Sequence, residues 1–133
     1  MESPLLDTHI WIWWLHGEAT LKAKNRQKLD KLCEEGELPY LSDMSLWEVQ
    51  MLHSKGRLPL KVSFEDWLKS ACRSVRLLRL SPEVILKLNE IPGTFHGDPA
   101  DRLIVATSMA HQLSLSTEDG KIIQSRLVSI WNA

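Results

Sequence analysis

Pro4-Leu5-Leu6-Asp7-Thr8-His9-Ile10-Trp11-Ile12-Trp13-Trp14-Leu15-His16-Gly17 reads as a strand, an acid, a helix and a stop. Pro4 to Asp7 is the short apolar run that suits a parallel strand buried on both faces. Thr8 to His16 follows as a helix, with Asp7 or Thr8 available as its N-cap and Gly17 to end it. The same succession recurs downstream. A lysine-rich helix is expected over Leu21 to Glu35, stopped by Gly36. Leu38 to Ser42 predicts a second strand, its Pro39 early enough to be tolerated, and Met44 to Lys55 a helix closed by Gly56. A basic loop leads to a helix opening at Phe64, and Val75 to Leu80 is a third strand. Pro82 starts a short helix over Glu83 to Asn89. After a loop rich in Pro and Gly, Asp98-Pro99 opens a strongly apolar helix to about His111. Leu113 to Ser116 is a fourth strand, Glu118 to Gln124 a turn of helix, and Leu127 to Trp131 a fifth strand. Strands alternating with helices imply a parallel sheet covered on both faces. The expectation is one three-layer α/β/α domain over 1–133, with a central sheet of about five strands.

The chain has 133 residues, enough for one domain with a real core and too few for two comfortable ones. The longest apolar run, Ile10 to Leu15, is far short of a membrane span. Met-Glu-Ser-Pro lacks the basic start of a signal peptide. Cys33 and Cys72 have no CxxC or zinc-finger spacing and read as reduced thiols in a cytoplasmic protein. A net charge of −1 argues against a generic nucleic-acid coat protein. Two bound divalent ions would reverse that sign. Basic residues gather in Lys22 to Lys31, Lys55 to Lys61 and Arg73 to Arg79, which read first as solvated helix faces.

Four acids, Asp7, Glu48, Asp101 and Asp119, lie at or just past the ends of apolar segments. In an open α/β sheet such junctions converge outside the carboxyl ends of the strands. Each acid also has an ordinary local explanation. Asp98 is a fitting N-cap ahead of Pro99, and Asp101 then occupies the third helical position, where the helix dipole favours an anion. Ser45-Leu46-Trp47-Glu48 matches a capping box; a helix beginning at Met44 would instead put Glu48 one turn inside. Asp7 suits a cap, and Thr117-Glu118-Asp119 resembles another helix start. Together the acids repel one another unless a cation or proton fills the space between them. Hard oxygen ligands favour Mg²⁺ or Mn²⁺.

Leu5-Leu6-Asp7-Thr8-His9, Ser45-Leu46-Trp47-Glu48, Asp98-Pro99-Ala100-Asp101-Arg102-Leu103-Ile104-Val105-Ala106 and Ser116-Thr117-Glu118-Asp119 resemble the signature blocks of PIN-domain proteins. The spacing is closest to the VapC-type toxin ribonucleases of prokaryotic toxin–antitoxin pairs. The resemblance runs from Leu5 to Trp131. It implies a metal-dependent endoribonuclease that hydrolyses RNA with metal-activated water, using Asp7, Glu48, Asp101 and Asp119 as catalytic and metal-binding acids. It implies that Thr8 and Thr117 are hydroxyl donors beside the site, that Asp98 is either a further contact beside the metal or substrate or only a cap, and that Arg102 holds a carboxylate or the substrate phosphate. Ala100 departs mildly from a position where an aromatic is frequent. A homodimer and a tight cognate antitoxin are implied as partners.

From Ile10 to Leu15 the first helix is apolar at every position, more than one sheet contact can bury. Either the Leu21–Glu35 helix covers the remainder or a second protein does; the resemblance points to an antitoxin peptide near Trp11, Trp14 and Trp47. His96, two residues before Asp98, is a candidate for the crevice rim. The alternatives are a non-catalytic PIN-like protein-binding module, an aspartyl phosphatase and a receiver domain. The phosphatase lacks its second acid, since His9 stands two residues after Asp7, and the receiver lacks paired acids ahead of the first strand.

Overall fold

Leu5 and Leu6 form the first strand, β1, and as neighbours on a strand they face opposite sides of the sheet. The computed structural model describes residues 2–95 and 97–131. In chain order β1 is followed by helices α1 (Thr8–Leu15) and α2 (Ala23–Glu34), strand β2 (Tyr40–Ser42), helices α3 (Asp43–Ser54) and α4 (Phe64–Cys72) and strand β3 (Arg76–Leu78). Helices α5 (Pro82–Glu90) and α6 (Pro99–His111), strand β4 (Leu115–Ser116) and helix α7 (Gly120–Ser125) complete it. The sheet order is β3-β2-β1-β4 and every pairing is parallel. Leu5 stands opposite Tyr40 and Leu115, and Leu6 opposite Leu41 and Ser116.

That register sorts the core into two layers. Leu6 and Leu41 bury against Trp11, Leu29, Leu32 and Val49, so α1 to α4 cover one face. Leu5 and Leu115 bury against Val84, Ile104, Val105 and Ile122, so α5 to α7 cover the other. Each such side chain, withdrawn fully from water, contributes about 1.5–3 kcal/mol before chain entropy is counted. The three-layer α/β/α expectation holds. Helix-ending glycines behave as read: Gly17 and Gly36 adopt φ of 64° and 76°, a region costly for a residue with a Cβ. Among the described residues no helix is long and apolar enough to cross a membrane.

Two expectations change. The fifth strand shrinks to a single parallel bridge, Ile130 to Leu115. Leu115 N–H donates to Ser129 O at 2.8 Å and Trp131 N–H to Leu115 O at 2.9 Å. Because β4 is only two residues long, Leu115 alone serves that edge. Trp11, expected near a partner, is fully buried; its ring packs on Trp67 of α4 at 5.7 Å and its Nε1 donates to Ser74 Oγ at 3.1 Å. The neighbouring helices enclose much of α1, and Trp14 Nε1 donates to Asp30 of α2 at 2.9 Å.

The chain runs outward from β1 through β2 to β3, then returns to place β4 on the other side of β1. The order reverses between β1 and β4, so a crevice opens at their carboxyl ends. Asp7 and Thr117 flank it.

Candidate active site

Asp7 directly follows β1 and caps α1: its Oδ1 accepts the Thr8 N–H at 2.8 Å. Its Oδ2 accepts the Thr117 hydroxyl at 2.6 Å. That hydroxyl in turn accepts the Asp119 N–H at 3.0 Å, tying the loop after β4 to the acid after β1. Asp7 is buried, and burial raises its pKa above the ordinary carboxyl range; the Thr117 and Thr8 hydrogen bonds pull it partly back.

Glu48 comes from α3, and the helix start differs from the capping-box reading. Ser42 is the cap, accepting the Met44 N–H, and α3 begins at Asp43. Glu48 therefore lies more than a turn inside the helix, with no orphan N–H to reach back to. Its Oε1 instead accepts a short hydrogen bond from the Thr8 hydroxyl. Ser45, freed from capping, lies 2.8 Å from the same Thr8 oxygen. Thr8 has one proton to give and gives it to Glu48, so Ser45 donates to Thr8. Burial, foremost, and the nearby charges of Asp7 and Asp98 push the Glu48 pKa up, against the Thr8 bond.

Asp98 caps α6, its Oδ1 accepting the N–H groups of Ala100 and Asp101 at 2.9 and 3.2 Å. Asp101 follows in the first turn. Burial first, and then the charges of Asp7, Asp98, Asp119 and Glu48, together push its carboxyl up to about 7. Asp119 caps α7, accepting from Lys121 N–H at 2.8 Å and Ile122 N–H at 3.1 Å. For Asp7, Asp98 and Asp119, capping and clustering are thus not alternatives. The N-termini of three helices meet here, and each cap presents its carboxylate to the same space.

That space is a cleft of ≈ 350 Å³ lined by Asp7, Glu48, Asp98, Asp101, Glu118 and Asp119 on the acidic side. His9, Ile10 and Trp13 form the rest of its wall. The four acids singled out from the sequence are all brought together, with Asp98 and Glu118 added. Among the described residues no three such groups already converge as a cage for one ion. Their oxygen-only donor set and mutual repulsion nonetheless suit a hard divalent cation. The sequence reading passed over His9 and Trp13 as site residues; the available signal was their i, i+4 spacing on the helix that Asp7 opens.

Arg102 does not face the acids as expected. Its guanidinium donates to the carbonyls of Pro92, Phe95 and Ile91 at 3.3–3.4 Å. A planar group with five donors meets three carbonyls of the loop after α5, which fixes that loop against α6. His96 lies outside the described residues.

The sequence profile of the PIN domain matches residues 5–126. Ribonuclease VapC22 of Mycobacterium tuberculosis is 30% identical over 98% of this chain and 100% of its own length. Among solved structures, VapBC2 of Rickettsia felis bound to a DNA fragment from its promoter aligns with a TM-score of 0.70 at 16% identity, covering 96% of each chain. FitAcB of Neisseria gonorrhoeae aligns with a TM-score of 0.70 at 23% identity, again over 96% of each chain. At those identities the two structures speak to the fold alone.

Proposed function

The chain belongs to the PIN-domain family, and from that membership we propose that it is a metal-dependent endoribonuclease, the toxin of a toxin–antitoxin pair. One observation carries the proposal: acids from four separate segments line a single cleft, and there burial and four neighbouring acids push the Asp101 carboxyl up to about 7. A protein-binding module with an idle cleft has no physical reason to keep half-buried carboxylates in mutual repulsion.

Asp7, Glu48, Asp101 and Asp119 are the residues we assign to hold Mg²⁺ or Mn²⁺. When bound, the ion supplies Lewis acidity and positive charge where a phosphodiester must approach an otherwise anionic wall. The protein does the positioning. Thr117 fixes Oδ2 of Asp7, and the Ser45–Thr8 pair fixes Oε1 of Glu48. Both hydroxyls favour the ionised carboxylate, the form a metal needs. Asp98 holds the first turn of α6 so that Asp101 stays at the cleft. The reaction assigned is hydrolysis of an RNA phosphodiester by activated water.

RNA is the proposed substrate, and a cognate antitoxin and a second copy of the chain are the proposed protein partners, in the cytoplasm. Trp47, 48% exposed, and Trp14 remain the side chains proposed to meet the antitoxin. The test is calorimetric titration of EDTA-stripped protein with Mn²⁺ beside folded Asp101→Asn, followed by RNA cleavage assays. Saturable binding that weakens at least tenfold in the variant, with metal-dependent cleavage that Asp101→Asn abolishes, is expected. Undiminished cleavage by folded Asp101→Asn would overturn the assignment.

A further inference from the structure

The cleft wall has two chemistries. The acidic side suits a cation and, through it, a phosphate. The other side is His9, Ile10 and Trp13, all from α1, and two of its three side chains are aromatic rings. His9 is exposed and Trp13 partly buried. Their ring centroids lie 6.0 Å apart with planes inclined at 48°. Rings so close leave no slot between them for a third, since each stacked contact needs about 3.5 Å. The two rings stand side by side at the cleft wall, inclined to one another, so a base beside the carboxylates would stack on one ring and meet the other at its edge.

The segment that carries these rings is fixed in place. Arg26 donates to the carbonyls of Trp14 at 3.1 Å, Trp13 at 3.4 Å and Glu18 at 2.6 Å, gathering the end of α1 and the turn after it. Trp14 is held to α2 through Asp30. Asp7, at the other end of α1, is both cap and cleft acid. The backbone that carries His9 and Trp13 is therefore tied to α2 at one end and to the cleft through Asp7 at the other, so little backbone ordering is needed on binding.

We propose that His9 and Trp13 form a base-stacking platform for an unpaired nucleotide next to the scissile phosphate. The inference rests on the nuclease reading above and deepens it by assigning the two side chains that receive the base beside the cut. A base paired within a helix is stacked on its neighbours and its face is unavailable, whereas an unpaired base can be laid on an aromatic surface. Stacking is tolerant of base identity, so the platform selects for unpaired structure and leaves sequence preference to other contacts.

The test uses the full chain with Mn²⁺ and a fluorescein-labelled, cleavage-resistant phosphorothioate 2′-O-methyl RNA decamer of randomised sequence. Fluorescence anisotropy reads affinity; a second strand carrying 2-aminopurine reads stacking as quenching. Parent protein is expected to bind the single strand, to quench 2-aminopurine and to bind a duplex of the same length more weakly. Trp13→Ala is expected to weaken binding about fivefold or more, in line with the loss of one base–aromatic stack. Trp13→Phe restores most of it, and exposed His9→Ala, which threatens folding least, weakens binding and quenching together. Equal RNA affinity and equal quenching in parent, Trp13→Ala and His9→Ala would overturn the platform and leave the nuclease reading standing. A parent that binds Mn²⁺ but neither form of RNA would overturn both.

Discussion

Replacing Asp101 by Asn should stabilise the metal-free protein while disabling its site. The carboxyl is raised from 3.8 to about 7, first by burial and then by Asp7, Asp98, Asp119 and Glu48. Roughly three pH units correspond to about 4 kcal/mol at 1.36 kcal/mol each. Asp101 is partly exposed, so solvent and salt screen the effect, and about half, ~2 kcal/mol, is the realistic share. Asn also forfeits the anion's attraction to the first turn of α6, about 0.3–1 kcal/mol. A net gain of roughly 1–1.5 kcal/mol remains, or about 4–6 °C in Tm for a chain of this size. The sign follows from linkage. A carboxyl whose folded pKa lies above its unfolded value contributes full stability below about pH 3.8 and loses that contribution as pH rises through about 7. Parent and Asp101→Asn should therefore melt together near pH 4 and diverge by pH 8, with the variant higher. The assay is thermal unfolding in EDTA from pH 4 to 8. Saturating Mn²⁺ at pH 8 should raise the parent by about 2.7 kcal/mol at a hundredfold excess over Kd, and the variant far less. A parent as stable as the variant at pH 8, or a gap that does not change with pH, would refute the claim that these acids strain the fold.

Arg102→Ala should cost about 1–2 kcal/mol through three unsatisfied carbonyls and leave the Mn²⁺ affinity unchanged; a stable variant with weakened RNA binding would restore the phosphate-clamp role. Thr117→Val should leave Oδ2 of buried Asp7 without its donor, destabilise the fold by about 1–2 kcal/mol and move Mn²⁺ binding to higher pH, with Thr117→Ser recovering most of both. Trp11→Ala should cost about 3–5 kcal/mol in urea unfolding, whereas Trp47→Ala should stay within about 0.5 kcal/mol and lose antitoxin affinity instead. Burial raises the thiol pKa of both Cys33 and Cys72, so iodoacetamide at pH 7.5 should modify them more slowly than free cysteine, by mass spectrometry.

Asp98-Pro99 predicts a helix start and Gly17 and Gly36 predict helix ends, because capping and positive φ act within a few residues and need no distant partner. The strand–helix alternation likewise implies the layered parallel sheet, and the positions of Asp7, Asp101 and Asp119 at strand or helix junctions imply that they converge. These features were legible in order along the chain. The cap of α3 was not, because Ser45 satisfies the local rule for a capping box while the structure uses Ser42. It was decided by Thr8, 37 residues from Ser45, which takes the Ser45 hydroxyl and turns Glu48 into the cleft. Arg102 stands beside Asp101 in sequence yet spends its donors on carbonyls of the loop after α5, which the helix packing brings within reach. Trp11, Trp13 and Trp14 are nearly contiguous and equally apolar. Their helical rotation and the arrival of α2 and α4 send Trp11 into the core, Trp14 to Asp30 and Trp13 to the cleft wall. Local composition thus determined the elements and the placing of Asp7, Asp101 and Asp119 at their junctions, since those depend on short-range backbone energetics and strand polarity. Which way each side chain turned was decided only in the tertiary structure, where partners distant in sequence compete for one hydrogen bond or one side of a helix.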